Sequence, residues 1–167
     1  TLGIVGYWEF ENNINDALGA MNGSVGGDAM TYVAGKVGNA MQFSVSNSAG
    51  VAEANMTTWA KSAKNSFTMM HWVYLNDASA RNGELAAGFL PEVITVPDNW
   101  GISGNNRMRS YITGINPEIW NYGNTALDSG TWYHFTTVYN GTDVAYYLNG
   151  VYDGGYSATG STGTASA

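Results

Sequence analysis

Between Thr131 and Gly155 the chain twice breaks a run of β-branched and aromatic residues with Asn-Gly. Trp132, Phe135 and Val138 lie in the first run, Asn140-Gly141 interrupts it, Val144 to Leu148 resumes it, and Asn149-Gly150 interrupts it again. Asn and Gly tolerate the positive φ that tight hairpin turns require, so the spacing predicts consecutive antiparallel strands rather than a helix. Few other folding choices are open to this segment. The rest of the chain agrees: Gly is abundant at 22 residues, Pro is scarce at 3, and aromatic residues make up 13% of 167. Aromatic side chains bury large areas each, so a core can form without any of the cysteines this chain lacks.

The length suits one domain. A net charge of −7, with the basic residues scattered as Lys36, Lys61, Lys64, Arg81, Arg107 and Arg109, supplies no patch that could follow a phosphate backbone. Nucleic-acid binding is therefore not expected. No apolar run approaches the ~20 residues that span a bilayer. The chain begins with Thr, which reads either as a removed leader or as a segment of something larger.

Further strands are predicted along the chain. Leu2 to Phe10 alternates, with Trp8 and Phe10 on one face and Tyr7, Glu9 and Glu11 on the other. Met41 to Phe43 closes a strand after a Gly- and Asn-rich turn, and Val51 to Ala54 forms a short one. Ser66 to Leu75 is apolar on both faces and reads as a central strand packed on both sides. Leu85 to Phe89, Trp100 to Ser103 and Met108 to Thr113 follow, with another strand starting near Ile119-Trp120. Pro91 to Asn99 holds two prolines and reads as irregular or edge. Only Met56 to Lys64 suggests a helical turn. The fold class expected is all-β, a two-sheet antiparallel β-sandwich of jelly-roll type.

Four segments in order carry a family resemblance: Gly6 to Glu11, Val33 to Phe43, Ser66 to Leu75, and Thr131 to Gly155. Together they resemble the laminin-G-like, concanavalin A-like lectin jelly rolls. Members usually finish with a strand after the second Asn-Gly turn, whereas Ser157 to Ala167 here holds no large apolar residue. The expected organisation is a jelly-roll domain over residues 1–156 and a small-residue tail or truncated loop over 157–167. The missing strand would come from residues beyond Ala167 or from a neighbouring chain, since open sheet edges are normally covered.

The resemblance brings in glucanases that carry paired carboxylates on one strand, and Glu9-x-Glu11 is the nearest match, about 7 Å apart by strand rise. It reads as a solvated face on the wrong strand. His71 and His134 lie in strands with no Gly-x-Ser-x-Gly elbow, and His134 is expected to anchor its strand. The chain is expected not to be an enzyme. Family members often hold Ca²⁺ in the loop after the first strand, which here offers Asn13, Asn15, Asp16 and Asn22, hard oxygen donors. Asn15 and Asp16 are the metal-ligand candidates, although the same residue types also form turns. Trp100, Tyr111, Trp120 and Tyr122 are the candidates for stacking on a glycan, with burial in the core as the competing reading for both tryptophans.

The function expected is a recognition or adhesion module for a carbohydrate or surface polymer, extracellular, at a cell surface or on a virion. The alternative is a structural subunit, such as a phage fibre, capsid decoration or surface filament, whose sheet a neighbouring chain completes.

Overall fold

The structure is a computed structural model, and it describes residues 3–26, 30–43, 51–54, 64–76, 85–87, 93–98 and 106–162. Contacts divide the chain into two compact units, Thr1–Trp59 and Ala60–Ala167. Every element found is a strand, and no helix among the described residues is long and apolar enough to cross a membrane. The helical turn expected at Met56 to Lys64 falls almost wholly outside the described residues.

The first unit holds two antiparallel pairs. Strand β1 (Gly23–Gly26) has its partner in β4 (Val51–Ala54), and β2 (Thr31–Ala34) pairs with β3 (Asn39–Gln42). Its opening segment is not the alternating strand the sequence suggested. Only an isolated bridge, Trp8 to Asp16, forms there, and Phe10 and Asn12 take φ of 58° and 57°. A left-handed residue breaks the extended backbone, so Trp8 and Phe10 cannot share a strand face. The unit is organised by polar groups instead. The Trp8 indole N–H donates to Met21 O at 3.1 Å, and the Glu11 carboxylate receives both the backbone and side-chain N–H of Asn39 at 2.9 Å.

The second unit is a two-sheet antiparallel sandwich. One sheet has the order β13-β12-β11-β5, with β5 at Phe67–Tyr74, β11 at Trp132–Tyr139, β12 at Asp143–Leu148 and β13 at Val151–Ser157. The other runs β10-β8-β7-β6, with β6 at Leu85–Ala87, β7 at Val93–Asp98, β8 at Arg107–Ile112 and β10 at Asn121–Ala126. Both Asn-Gly turns are where the sequence put them: Asn149 and Gly150 have φ of 51° and 81°, and Gly141 has φ of 99°. Alternation then selects the core. Tyr133, Phe135, Thr137 and Tyr139 of β11 point inward, as do Val144, Tyr146 and Leu148 of β12 and Met108, Ser110 and Ile112 of β8. Truncating a ring such as Phe135, which is completely buried, would cost about 3–5 kcal/mol.

Hydrogen bonds join the sheets at two places among the described residues. Ser110 Oγ and Tyr146 Oη lie 2.7 Å apart and buried. The Asp153 carboxylate receives the N–H and hydroxyl of Thr125 at 3.0 and 2.5 Å. Asp153 reaches inward through a β-bulge, because the register passes from Tyr147↔Tyr152 to Tyr146↔Gly154 and leaves it as the extra residue. Gly123 of β10 makes room, since a Cβ there would sit 2.3 Å from Asp153 Oδ2.

Two expectations change here. Residues 93–98 form β7, paired on both sides over Val93 to Thr95, and not an irregular segment. Its proline, Pro97, lies beyond the reach of β6, where β7 pairs only with β8 among the described residues, so the missing N–H is tolerated. Strand β5 lies at the end of its sheet order, and its outer face is exposed rather than packed. Residues 157–162 are bound to the sandwich. Thr159–Gly160 forms β14, pairing with β9 (Ile115–Asn116), Ala158 is buried, and Lys64 and Thr162 exchange two bonds of 2.9 Å.

His71 generates a pH test. Although the residue keeps some surface, its Nδ1 is enclosed without a partner, and its ring stands edge-on to Phe135 at 5.4 Å. Burial, with His134 nearby, pushes the imidazole down from 6.5 to about 4. The unfolded chain takes up this proton near 6.5 and the folded one does not, so stability is full above 6.5 and falls as pH drops toward 4. Urea denaturation is expected to show a loss of about 2 kcal/mol between pH 7.5 and pH 5. His71→Phe should flatten that slope, and an unchanged slope in the variant would exclude His71 as its source.

Candidate functional site

Strand β8 alternates, and its outward residues build the site. With Met108, Ser110 and Ile112 committed to the core, Arg107, Arg109 and Tyr111 fall on the opposite face of the sheet. The antiparallel pairing sets Tyr122 of β10 directly beside Arg109. Trp120, two residues earlier, lies over Arg109 with the guanidinium carbon 4.1 Å from its ring centroid. Tyr111 approaches the same indole at 4.9 Å and 35°. A cation on the face of an indole is attracted by the ring quadrupole, and Arg109 is only 7% exposed.

The connection from β8 to β10 folds back onto this cluster. Gly114 takes φ of 86°, and the Asn116–Pro117 peptide is cis. Glu118 then accepts the Tyr111 hydroxyl at 2.6 Å through Oε1 and the Gly114 N–H at 2.8 Å through Oε2. The Tyr111 hydroxyl foremost, then the Gly114 N–H, holds this carboxyl below the usual carboxylate range against the opposing effect of its desolvation. The result is a shelf of fixed rings, with Trp120 and Tyr122 each 39% exposed and an ionised carboxylate beside them. Such a surface can stack on the apolar face of a ligand and accept hydrogen bonds from its hydroxyls.

Of the four sequence-predicted ring residues, Tyr111, Trp120 and Tyr122 come together here, and Trp120 is a surface ring rather than a core one. Trp100 lies outside the described residues. Arg109 and Glu118 were missed. The alternation of β8 carries the signal for Arg109, whereas the fold-back that brings Glu118 to Tyr111 leaves no periodic trace.

Asp16 and Asn15, the metal candidates, are arranged otherwise. Asp16 is 3% exposed, and its Oδ1 accepts the Tyr7 and Leu18 N–H groups at 2.9 and 3.1 Å. Its Oδ2 accepts those of Ala20 and Met21 at 3.2 and 3.1 Å. The Tyr7 bond above all, with lesser help from the other three, outweighs desolvation and lowers the carboxyl below its ordinary range. Four N–H dipoles aimed at one carboxylate suit an anion and oppose a cation. Asn15 is exposed, its backbone N–H held by Asn13 Oδ1 at 2.9 Å. No group of three or more His, Asp or Glu side chains converges among the described residues. These donors do not fit Ca²⁺. Glu11, half of the Glu9-x-Glu11 carboxylate pair, is occupied by Asn39, and the strand that would align it with Glu9 is absent.

A family model described as the concanavalin A-like lectin/glucanases superfamily matches residues 45–167. No curated protein matches the chain in sequence. Among solved structures, domain 4 of AbnA, a GH43 extracellular arabinanase from Geobacillus stearothermophilus, solved in complex with arabinotriose, is similar. The likeness covers 96% of this chain and 78% of that one, with a TM-score of 0.69 and 18% identity. At that identity the likeness carries the fold, and the fold alone does not assign an activity.

Calorimetry and thermal melts test the Asp16 arrangement. Asp16→Ala is expected to lower the melting temperature by several degrees, while millimolar Ca²⁺ or a chelator leaves the parent unchanged. A Ca²⁺-dependent rise in melting temperature that Asp16→Ala abolishes would restore the metal reading. Because the carboxyl lies below its unfolded value of 3.8, its stabilisation is complete above that pH and is lost as pH falls through the folded value.

Proposed function

The chain belongs to the concanavalin A-like lectin/glucanases superfamily, and from that premise we propose that it is a non-enzymatic module that binds a neutral glycan on the outer face of the β10-β8-β7-β6 sheet. One observation carries the reading: the shelf in which Arg109 underlies Trp120, Tyr111 flanks it and Tyr122 extends it. Ring faces stack on sugar C–H groups, and the Glu118 carboxylate accepts hydroxyl donors at the border. The rings are held by one another and by the sheet, so little ordering accompanies binding.

Neutrality follows from charge. Arg109 is only 7% exposed and the chain carries −7, so a polyanionic sugar meets net repulsion. The arabinanase domain's complex with arabinotriose supports an oligosaccharide as the first ligand to try. That domain's extracellular enzyme also supports a working place outside the cell. A part in adhesion or on a virion would use the same surface. Completion of the sheet by a neighbouring chain draws less support, because residues 157–162 pair within this chain.

Titration calorimetry with arabinotriose and longer linear arabino-oligosaccharides tests the proposal. Trp120→Ala and Tyr122→Ala are each expected to weaken binding about tenfold, the equivalent of ~1.4 kcal/mol for a stacked ring. Full affinity in both variants would move the site elsewhere. No binding to arabino-, xylo- or gluco-oligosaccharides would remove the function.

A further inference from the structure

The sheet on the other side of the sandwich carries a second set of rings that the first site does not use. On β5 the outward residues are Thr68, Met70, Trp72 and Tyr74, with Met70 61% and Trp72 46% exposed. Antiparallel pairing sets Trp132 opposite Tyr74 and His134 opposite Trp72. Their ring centroids lie 5.3 and 5.0 Å apart. At the far side of the same sheet, Tyr147 pairs with Tyr152, their rings 5.9 Å apart. The two strand-paired rungs repeat every second residue, about 7 Å along the strands.

Exposed rings gathered on one face mark a binding surface rather than scattered apolar residues. Charge decides what it binds. Outward positions on β5, β11 and β12 hold no Lys, Arg or Glu. The single carboxylate, Asp143, lies at the strand end and is occupied by the hydroxyls of Thr142 and Ser157 at 2.7 and 2.9 Å. A second copy of the chain would bring another −7 against this one, which opposes self-association. The face is also not simply apolar, because hydroxyls of Thr68, Thr136 and Tyr74 and the His134 ring stand among the rings. Rings interleaved with hydrogen-bonding groups, without charge, match an uncharged polyol chain better than an acyl surface or a copy of this protein.

We propose that the outer face of the β13-β12-β11-β5 sheet is a second glycan-binding surface, which holds an extended neutral polysaccharide along β5 and β11. It does not depend on the Trp120 shelf. The two surfaces lie on opposite faces of one sandwich, so a single molecule engages two polysaccharide chains, and a polymer presenting many sites is bound with avidity.

Affinity electrophoresis in gels containing linear arabinan, xylan or mixed-linkage β-glucan tests this. The variants are Trp72→Ala, Tyr74→Ala and Trp120→Ala, alone and combined, with circular dichroism and melting curves as folding controls and Trp72→Phe as the conservative partner. On at least one polymer, retardation should survive Trp120→Ala, fall several-fold with Trp72→Ala, recover with Trp72→Phe, and vanish in the Trp72→Ala/Trp120→Ala chain. The parent should also raise the turbidity of that polymer by bridging, and each single variant should not. If Trp72→Ala changes nothing in the Trp120→Ala background, the second surface is excluded even where the first is confirmed. Light scattering that shows a dimer dissolved by Trp72→Ala would overturn the glycan assignment in favour of a second copy.

Discussion

The hydrogen bond between Ser110 Oγ and Tyr146 Oη, 2.7 Å long and buried between the sheets, fixes which side of β8 meets water. Side chains on a strand alternate, so a register slip of one residue would turn Arg109 and Tyr111 into the core and Ser110 out of it. A buried serine on the same face as Met108 and Ile112 is acceptable only while its hydroxyl is paired. Tyr146 answers the same need, and its burial foremost pushes the phenol well above its ordinary range, so it stays a neutral partner. With β8 held this way, pairing with β10 delivers Tyr122 beside Arg109, and Trp120 follows two residues away. The candidate site thus depends on a polar contact that touches none of its residues.

Several of the described carboxylates shape backbone. Asp153 turns inward at the bulge in β13 and ties that strand to Thr125 of β10. Asp16 gathers four N–H groups into one turn of the first unit, and Glu11 holds Asn39. Glu118 differs in lying on a surface of exposed rings, yet it too fixes a neighbour, the Tyr111 hydroxyl. An acidic chain with few basic residues can satisfy its carboxylates with backbone N–H and hydroxyl donors, and this one does so repeatedly. Such bonds favour the ionised form, which explains why the shifts at Asp16, Glu118 and Asp143 are all downward.

Much of the second unit was legible in the sequence, because local chemistry dictates it. Asn140-Gly141 and Asn149-Gly150 force turns, and the alternating rings of β11 and β12 select the core. What was not legible depends on distant partners. The positive φ of Phe10 gives no warning in the residue type. Pro97 argued against a strand, and only the short reach of β6 shows why one forms. The apolar outer face of β5 suggested burial, whereas Trp72 stands exposed beside His134. Tyr111, Trp120 and Tyr122 could be named from the sequence as rings among polar residues. That Arg109 lies beneath one of them depends on the pairing of β8 with β10.

Fixed surface rings on the β8–β10 pair are proposed to hold a neutral sugar. The six tryptophan indoles give resolvable N–H signals, so an NMR titration with arabinotriose reads the site directly. Dose-dependent movement of the Trp120 indole signal is expected. The Trp8 signal, whose N–H is held by Met21 O, should stay fixed. A spectrum in which Trp120 is unmoved at saturating sugar, or in which Trp8 moves instead, would contradict the account.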